Sequence, residues 1–358
     1  IGIATDGDIR RRLVDDADLD SSIGVCANKN FYWADETVTR ESLIKKLDEK
    51  IKIIPILNDK KHLVDIVTKD SMPILAEEAI YVRSKSPVRV SFGGGGSDLT
   101  HYFSGDIGAV INATISFYSH ATLRIRSDEK ISIRSLDLDD SLHVNNFDDL
   151  MKPRQGFGLI QSVIKTVGPN FGFELDLYSD FPMSSGLGGS AVVAASILGC
   201  FNELRQDRWD LHELAELAYQ AERLYQGIEG GWQDQYATVF GGLNFMEFKM
   251  EQNLVHPLRL SQKNLYELEE SLILCDTNTT HESGNIHSDQ REQMQNEDVK
   301  KLVQANVKLC FQMRDQLLRG RLNEFGHSLH KAWNFKRELS SEISNDKLDK
   351  IYDDAISN

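Results

Sequence analysis

Two apolar runs, Ile51–Leu57 and Leu63–Val67, flank a polar turn at Asn58-Asp-Lys-Lys61 and predict a pair of strands. Ahead of them, Gly2–Asp8 reads as a strand end turning into a helix at Ile9–Leu13, and a second helix is predicted at Arg40–Glu49. Asp65–Asp70 weakly echoes Gly2–Asp8, the mark a tandem two-unit module leaves. Ser71–Glu78, punctuated by Pro73, predicts a linker. Tyr81–Phe92 then reads as a strand, with Pro87 marking an edge or a strand start. Ala121–Arg126 and Lys130–Leu136 alternate and, joined by Ser127–Glu129, predict a hairpin. A helix at Phe157–Val167 is stopped by Gly168-Pro169, and Phe171–Ser179 alternates as a strand. Ala191–Leu204 predicts an apolar helix, and the capping box Asp210-Leu-His-Glu213 opens another, to about Gln226. Residues 258–358 predict one strand, Leu272–Asp276, and three helices, Asp298–Arg319, Leu322–Leu339 and Asp346–Ile356.

The 358 residues suffice for two or three domains. A net charge of −15 argues against a nucleic-acid partner, which would demand a basic surface, but allows a small phosphorylated substrate. Cys26, Cys200, Cys275 and Cys310 are too widely spaced for a zinc or redox motif or a disulfide framework, so reduced thiols and a cytoplasmic location are expected. The apolar run Ala191–Phe201 is far shorter than the ~20 residues of a membrane span, and no membrane partner is expected. No signal peptide is visible, and a start at Ile1 within a strand-like run predicts a piece of a longer protein.

Three clusters carry candidate chemistry. Pro182-Met-Ser184-Ser185-Gly186-Leu187-Gly188-Gly189-Ser190-Ala191 follows a strand and precedes a helix. Its glycines let backbone N–H groups close on an anion at a positive helix end, and its hydroxyls suit phosphate or a metal. The alternative is a flexible turn with a serine cap. A Walker loop is excluded by the lack of any Gly-Lys dipeptide, and Gly186–Ala191 is a weak dinucleotide fingerprint because helices follow it. In the second cluster, Glu222 falls within the apolar stripe of its helix, where a carboxylate needs a cation or metal, unless it is a boundary residue that reaches solvent. Beyond it, Asp234 follows Gly230-Gly231 between Gln233 and Gln235, which could hold its carboxylate; a plain helix cap is the alternative. In the third, Arg89 leads into Gly93–Gly96, with Ser97 and Asp98 beyond, where glycines permit close approach to a ligand and Asp98 can accept from substrate hydroxyls. A glycine bulge with a surface arginine is the alternative.

Together, Pro87–Asp98, Pro182–Ala191 and Gly230–Gln235 resemble the GHMP kinase superfamily, over about 275 residues from Tyr81 onward. Arg83–Asp98, Gly231–Ala237 with Phe240-Gly-Gly242, and Trp333-Asn-Phe-Lys336 look most like the D-glycero-D-manno-heptose 7-phosphate kinases. The resemblance implies an α/β (α+β) fold. A ribosomal protein S5 domain 2-like kinase domain would span 81–255 and a ferredoxin-like C-terminal domain 256–358. It implies an ATP-dependent sugar kinase acting on the anomeric hydroxyl of a heptose 7-phosphate; an L-fucose or galactose kinase, or a nucleotide-sensing protein without turnover, are the alternatives. ATP phosphates would lie on Pro182 and Ser184–Ser190, Mg2+ on Ser190 and Glu222, and the sugar on Gly95, Gly96, Ser97 and Asp98. Asp234 would be the catalytic carboxylate and Arg89 the residue that steadies it. Two features depart from the family. Gly189 stands where many relatives have Ser, and a C-terminal Gly-Ala-Gly-Gly-Gly run is absent, so weak ATP binding and turnover are expected of the chain as it stands. Residues 1–78 resemble the end of a CBS domain pair, with Gly2, Thr5 and Asp8 at the adenosine-contacting positions. A structural or dimerising role is expected of it, with an adenine nucleotide as the alternative ligand.

Overall fold

Helix α1 (Asp6–Val14) starts where Thr5 and Asp8 form a reciprocal cap: the Asp8 N–H donates to Thr5 Oγ1, and the Thr5 N–H donates to Asp8 Oδ2 at 2.9 Å. The Thr5 hydroxyl donates to the same carboxylate, and these bonds hold Asp8 below the usual carboxylate pKa. Both residues at the nucleotide-type spacing are thus engaged in starting a helix. The computed structural model describes residues 2–15, 18, 20–48, 50–68, 81–182, 184–277, 296–339 and 343–357. The chain forms two units, Ile1–Ala79 and Ile80–Asn358. In the first, β1 (Ala34–Asp35) runs parallel to β2 (Ile53–Leu57), and β2 pairs antiparallel with β3 (Leu63–Thr68). Helix α2 (Arg40–Lys46) lays Leu43 on Ile54, Ile56 and Val67. It stops three residues short of the predicted Glu49. The Asp48 carboxylate accepts from the N–H groups of Lys50 and Ile51, and this local turn outcompetes another helical turn. The predicted linker Ser71–Glu78 lies outside the described residues.

The second unit is built on β4 (Tyr81–Gly93) and β5 (Gly108–Ile125), which pair along nearly their whole length; the short α3 (Thr100–Phe103) lies between them in the chain. The other strands are β6 (Ile131–Ser135), β7 (Asp140–Val144), β8 (Phe173–Ser179), β9 (Leu243–Phe248) and β10 (Asn253–Pro257), in the order β10-β9-β5-β8-β6-β7 with β4 on β5. The predicted hairpin of Ala121–Arg126 and Lys130–Leu136 is not formed. β8 inserts between the two strands, antiparallel to β5 and parallel to β6. Arg126 N–H donates to Gly172 O and Phe173 N–H to Lys130 O, so β8 enters between them at its first residues. Gly172 makes the entry sterically possible, since a Cβ there would lie 2.0 Å from the Asp128 carbonyl oxygen. The local turn signal at 127–129 could not reveal a strand arriving from more than forty residues away.

With β4 on one edge of β5, its other edge is divided: residues 108–113 pair with β9 and 119–125 with β8. The β4–β5 register shifts opposite this fork, between Pro87–Tyr118 and Arg89–Thr114. Three chain segments therefore meet there: Arg89 on β4, the loop leaving β8, and the loop entering β9. Around the sheet lie α4 (Phe147–Leu150), α5 (Gly158–Val167), α6 (Gly189–Glu203), α7 (Leu211–Tyr219) and α8 (Gln233–Phe240). Then follow α9 (Gln262–Ser271), α10 (Glu297–Leu318), α11 (Leu322–Leu339) and α12 (Asp346–Ser357). One apolar core packs α5 and α6 on Leu123, Ile133 and Phe173; a second packs α10 and α11 on Ile111, Phe245 and Phe248. Leu272–Asp276, predicted as a strand, is irregular, and Leu272, Ile273 and Leu274 are exposed. Apolar alternation there meets no sheet edge. Among the described residues beyond Pro257 no strand is present to build the ferredoxin-like domain expected over 256–358.

Candidate active site

Arg89, placed at the fork by β4, reaches two segments at once. Its Nε and Nη2 donate to Asp234 Oδ1 at 2.8 and 2.7 Å, and its Nη1 donates to the Gly186 carbonyl at 2.9 Å. Asp234, in the first turn of α8, is thereby tied to the loop before α6. The loop closes from the other side as well. Gly188 has φ +77°, and a Cβ there would sit 3.3 Å from the Asp234 carboxylate. A side chain here would strain this backbone and crowd the acid.

The loop has the geometry of an anion cradle. Ser184, Gly186 and Gly188 all have positive φ, the alternate left-handed positions from which backbone anion nests are built. The N-terminus of α6 follows at once, with its first N–H groups unpaired within the helix. Leu187 anchors the loop by packing with Phe181 on Val88 and Val192, whereas Pro182, Ser184 and Gly186 are exposed, with Ser185 half-buried beside them. Gly189 has a local reason: a Cβ would come within 2.9 Å of the Phe181 ring, so serine would not fit as the chain now packs.

Ser190, in the first turn of α6, donates from its hydroxyl to Glu222 Oε1. Glu222 is 2% exposed, and its other oxygen accepts from Gln235 Nε2 at 2.6 Å. Its charge is balanced by Arg223, whose Nη1 lies 3.3 Å away. In an α-helix, neighbours in sequence do not face one another. Here α7 widens into a π-turn over Gln220–Tyr225, which lets Arg223 lie beside Glu222. The partner inferred to be missing for Glu222 is therefore already present in the chain. Ser190 and Glu222 still offer two hard oxygens side by side next to the glycine loop, the number Mg2+ takes from protein when phosphates and water supply the rest. Among the described residues no cluster of three His, Cys, Asp or Glu side chains could hold a metal alone.

The two glutamines that flank Asp234 turn elsewhere: Gln235 to Glu222, and Gln233 to the Ser91 hydroxyl at 2.9 Å. Asp98 accepts from the N–H groups of Gly96 at 3.0 Å and Gln233 at 3.2 Å, so it caps α8 and fixes the direction in which Asp234 leaves. The pair Gly230-Gly231 admits two charged side chains. A Cβ on Gly230 would meet the Arg223 guanidinium, and one on Gly231 would lie 1.8 Å from Asp98 Oδ2. Of the four residues expected to meet a sugar, Ser97 is fully buried, its hydroxyl bonded to Gly94 O and to the Ala109 backbone. It braces the glycine turn and has no face for a ligand. Gly95 and Gly96 are buried too, beneath Lys336 and Leu339.

Lys336, on α11, has a functional placement that pattern alone did not assign. A Cβ on Gly95 would lie 3.2 Å from its Nζ, and Arg89, Asp98 and Asp234 all act on it electrostatically. Burial, then Arg89, lowers its pKa below the usual lysine value, against the pull of the two acids. The unfolded chain binds the proton more tightly, so stability rises with pH between the lowered and ordinary values, while the folded site loses its ammonium as pH rises through the lower one. Lys336→Met is expected to flatten that stretch of the stability–pH curve. Denaturant unfolding across the alkaline range checks this, and identical slopes would mean the ammonium stays charged throughout.

The family described as GHMP kinases N terminal domain matches residues 157–242, which include the loop, the π-turn and Asp234. The chain is 35% identical over 283 residues to D-glycero-alpha-D-manno-heptose 7-phosphate kinase of Campylobacter jejuni, covering 77% of this chain and 83% of that protein. It is 25% identical to the L-fucokinase/L-fucose-1-P guanylyltransferase of Bacteroides fragilis, covering 76% of this chain but 32% of that protein. Its fold matches the crystal structure of a D-glycero-D-manno-heptose 1-phosphate kinase from Bacteroides thetaiotaomicron with a TM-score of 0.62 at 29% identity, over 72% of this chain and 80% of that one.

Proposed function

The chain belongs to the GHMP kinase family and is a sugar kinase, and on that premise we propose that it transfers the γ-phosphoryl group of ATP to the anomeric hydroxyl of D-glycero-D-manno-heptose 7-phosphate. The carrying observation is the junction of Arg89, Asp234 and the 184–190 loop, which sets a carboxylate beside an anion cradle. The phosphates of ATP lie on the loop and the α6 N-terminus. Asp234 takes the proton of the attacking hydroxyl as its oxygen bonds to the γ-phosphorus and the bond to ADP breaks. Arg89 keeps Asp234 aimed, and its hold on Gly186 keeps the base in register with the phosphates. Mg2+, held by Ser190 and Glu222, would offset the charge of the phosphate oxygens.

We further read residues 81–255 as ribosomal protein S5 domain 2-like and residues 1–78 as the end of a CBS pair with a structural or dimerising role. The cap made by Thr5 and Asp8 supports that role over nucleotide binding. No helix among the described residues is long and apolar enough to cross a membrane, and a cytoplasmic location is proposed on the cysteine usage. The test is ATP consumption with D-glycero-D-manno-heptose 7-phosphate, L-fucose and D-galactose, and phosphorus NMR of the product. An anomeric phosphate formed only from the heptose phosphate is expected. Turnover of fucose or galactose alone would replace this substrate, and no turnover of any would remove it.

A further inference from the structure

Resting on the sugar-kinase reading, we propose that Lys336 is a further catalytic residue, whose ammonium binds the γ-phosphoryl group of ATP while it passes to the acceptor. The residue sits on α11 and is half-buried. Its amine comes down onto the glycine turn: a Cβ on Gly95 would lie 3.2 Å from Nζ and 3.9 Å from Ser91 Oγ. The lysine and this hydroxyl are the nearest groups to that position, so the missing side chain at 95 makes room for the ammonium.

Among the described residues the ammonium makes no hydrogen bond and no ion pair, although it lines a cavity of about 610 Å3. The two acids that act on it are held by other groups. Asp234 is bonded to Arg89, and Asp98 accepts from the N–H groups of Gly96 and Gln233. Of the charges that act on Lys336, Arg89 comes first, and it repels. A half-buried cation within reach of a second cation, with no anion of its own, is a costly arrangement. An incoming anion offsets that cost and holds the proton on the amine.

The anion that the reaction brings to this junction is the phosphoryl group in transfer. Arg89 joins the 184–190 loop to Asp234, and Lys336 meets the same groups from α11. In phosphoryl transfer charge spreads over the three equatorial oxygens, and the protein's work is to position and neutralise that group. As the acceptor oxygen bonds to the γ-phosphorus and the bond to ADP breaks, the hydroxyl proton passes to Asp234. Lys336 keeps its own protons and donates hydrogen bonds to the equatorial oxygens. A compact charge on a flexible stem can follow the group from donor to acceptor. An interaction strongest at that moment raises kcat and leaves ground-state binding alone.

The test uses Lys336→Met, which keeps the stem and removes the charge, and Gly95→Ala, which displaces the ammonium and leaves the lysine in place. Lys336→Met is expected to lower kcat by about 10²–10³-fold, with the KM values for ATP and for the acceptor close to those of the parent. Gly95→Ala is expected to lower kcat by less. The double variant is expected to be no slower than Lys336→Met alone, because changes that act through one group do not add. ADP with aluminium fluoride, a stand-in for the flat phosphoryl group, is expected to bind the parent about tenfold more tightly than it binds Lys336→Met, while ADP alone binds both equally. The proposal is overturned if Lys336→Met keeps the parental kcat, or if it raises the acceptor KM alone, the signature of a ground-state contact. It is also overturned if the two single losses multiply in the double variant. If the parent phosphorylates no sugar, the sugar-kinase reading falls on its own, and the aluminium fluoride comparison still decides whether Lys336 answers a phosphoryl group.

Discussion

Asp234→Asn is expected to lower kcat by about 10²–10⁴-fold while leaving the KM for ATP and the melting temperature close to those of the parent. The substitution keeps the size and the first-turn position of the side chain, so α8, capped by Asp98, has no reason to move. What is lost, on the proposed mechanism, is the proton acceptor. The carboxylate is about one-fifth exposed, and an amide oxygen in its place can still accept from Arg89, so the fold keeps these hydrogen bonds. The pair acts on geometry: the guanidinium that holds Asp234 also holds Gly186, so base and phosphate cradle share one anchor. On the proposed mechanism ATP sits on the cradle and does not need the acid, which is why affinity and rate should separate. Steady-state kinetics with both substrates varied make the comparison. A variant with full kcat would show that the acceptor hydroxyl loses its proton elsewhere. A variant that loses ATP affinity and kcat in proportion would make Asp234 a loop brace.

The three glycine-bearing clusters were legible in the sequence because each has a local cause. Glycines at 93–96, 186–189 and 230–231 mark turns or close approaches, and the structure assigns specific atoms to several of them. Glu222 was legible as a buried acid because an apolar stripe at helical period gives away burial. Its partner was not. Arg223 is one residue further on, and helical periodicity puts it off the stripe; only the π-turn at Gln220–Tyr225 brings it round. The same limit hid the insertion of β8. A hairpin signal is read from adjacent strands, whereas the pairing of β8 with β5 and β6 is decided by contacts distant in sequence. β9 and β10 carry weaker alternation and were not anticipated, although β9, which follows α8, supplies half of the fork. Lys336 and Trp333 stood out only as part of a resemblance. Nothing local in Trp333-Asn-Phe-Lys336 reports that α11 packs against the glycine turn, roughly 240 residues away in the chain.

Glu222→Gln is expected to destabilise the kinase unit by about 3–5 kcal/mol and, separately, to raise the Mg2+ concentration needed for nucleotide binding. The amide can still accept from Ser190 and meet Gln235, so hydrogen bonding changes little. The charge balance changes completely. Arg223 is 9% exposed, its Nε has no partner, and its remaining contacts are the carbonyls of Ile228 and Glu229. Without the carboxylate, a guanidinium remains buried against two dipoles, a far costlier state than an empty site. Adding Arg223→Met to Glu222→Gln removes the stranded charge and is expected to recover part of the lost stability, although the two carbonyls then lose their donor. The double variant separates the two roles of Glu222. If its melting temperature recovers while its Mg2+ requirement stays high, the acid both balances Arg223 and faces the ion beside Ser190. If its Mg2+ titration returns to the parental curve, the metal is held elsewhere and Glu222 serves only the π-turn. A single variant as stable as the parent would mean that solvent reaches Arg223 readily, and the buried pair would then carry no weight in the fold.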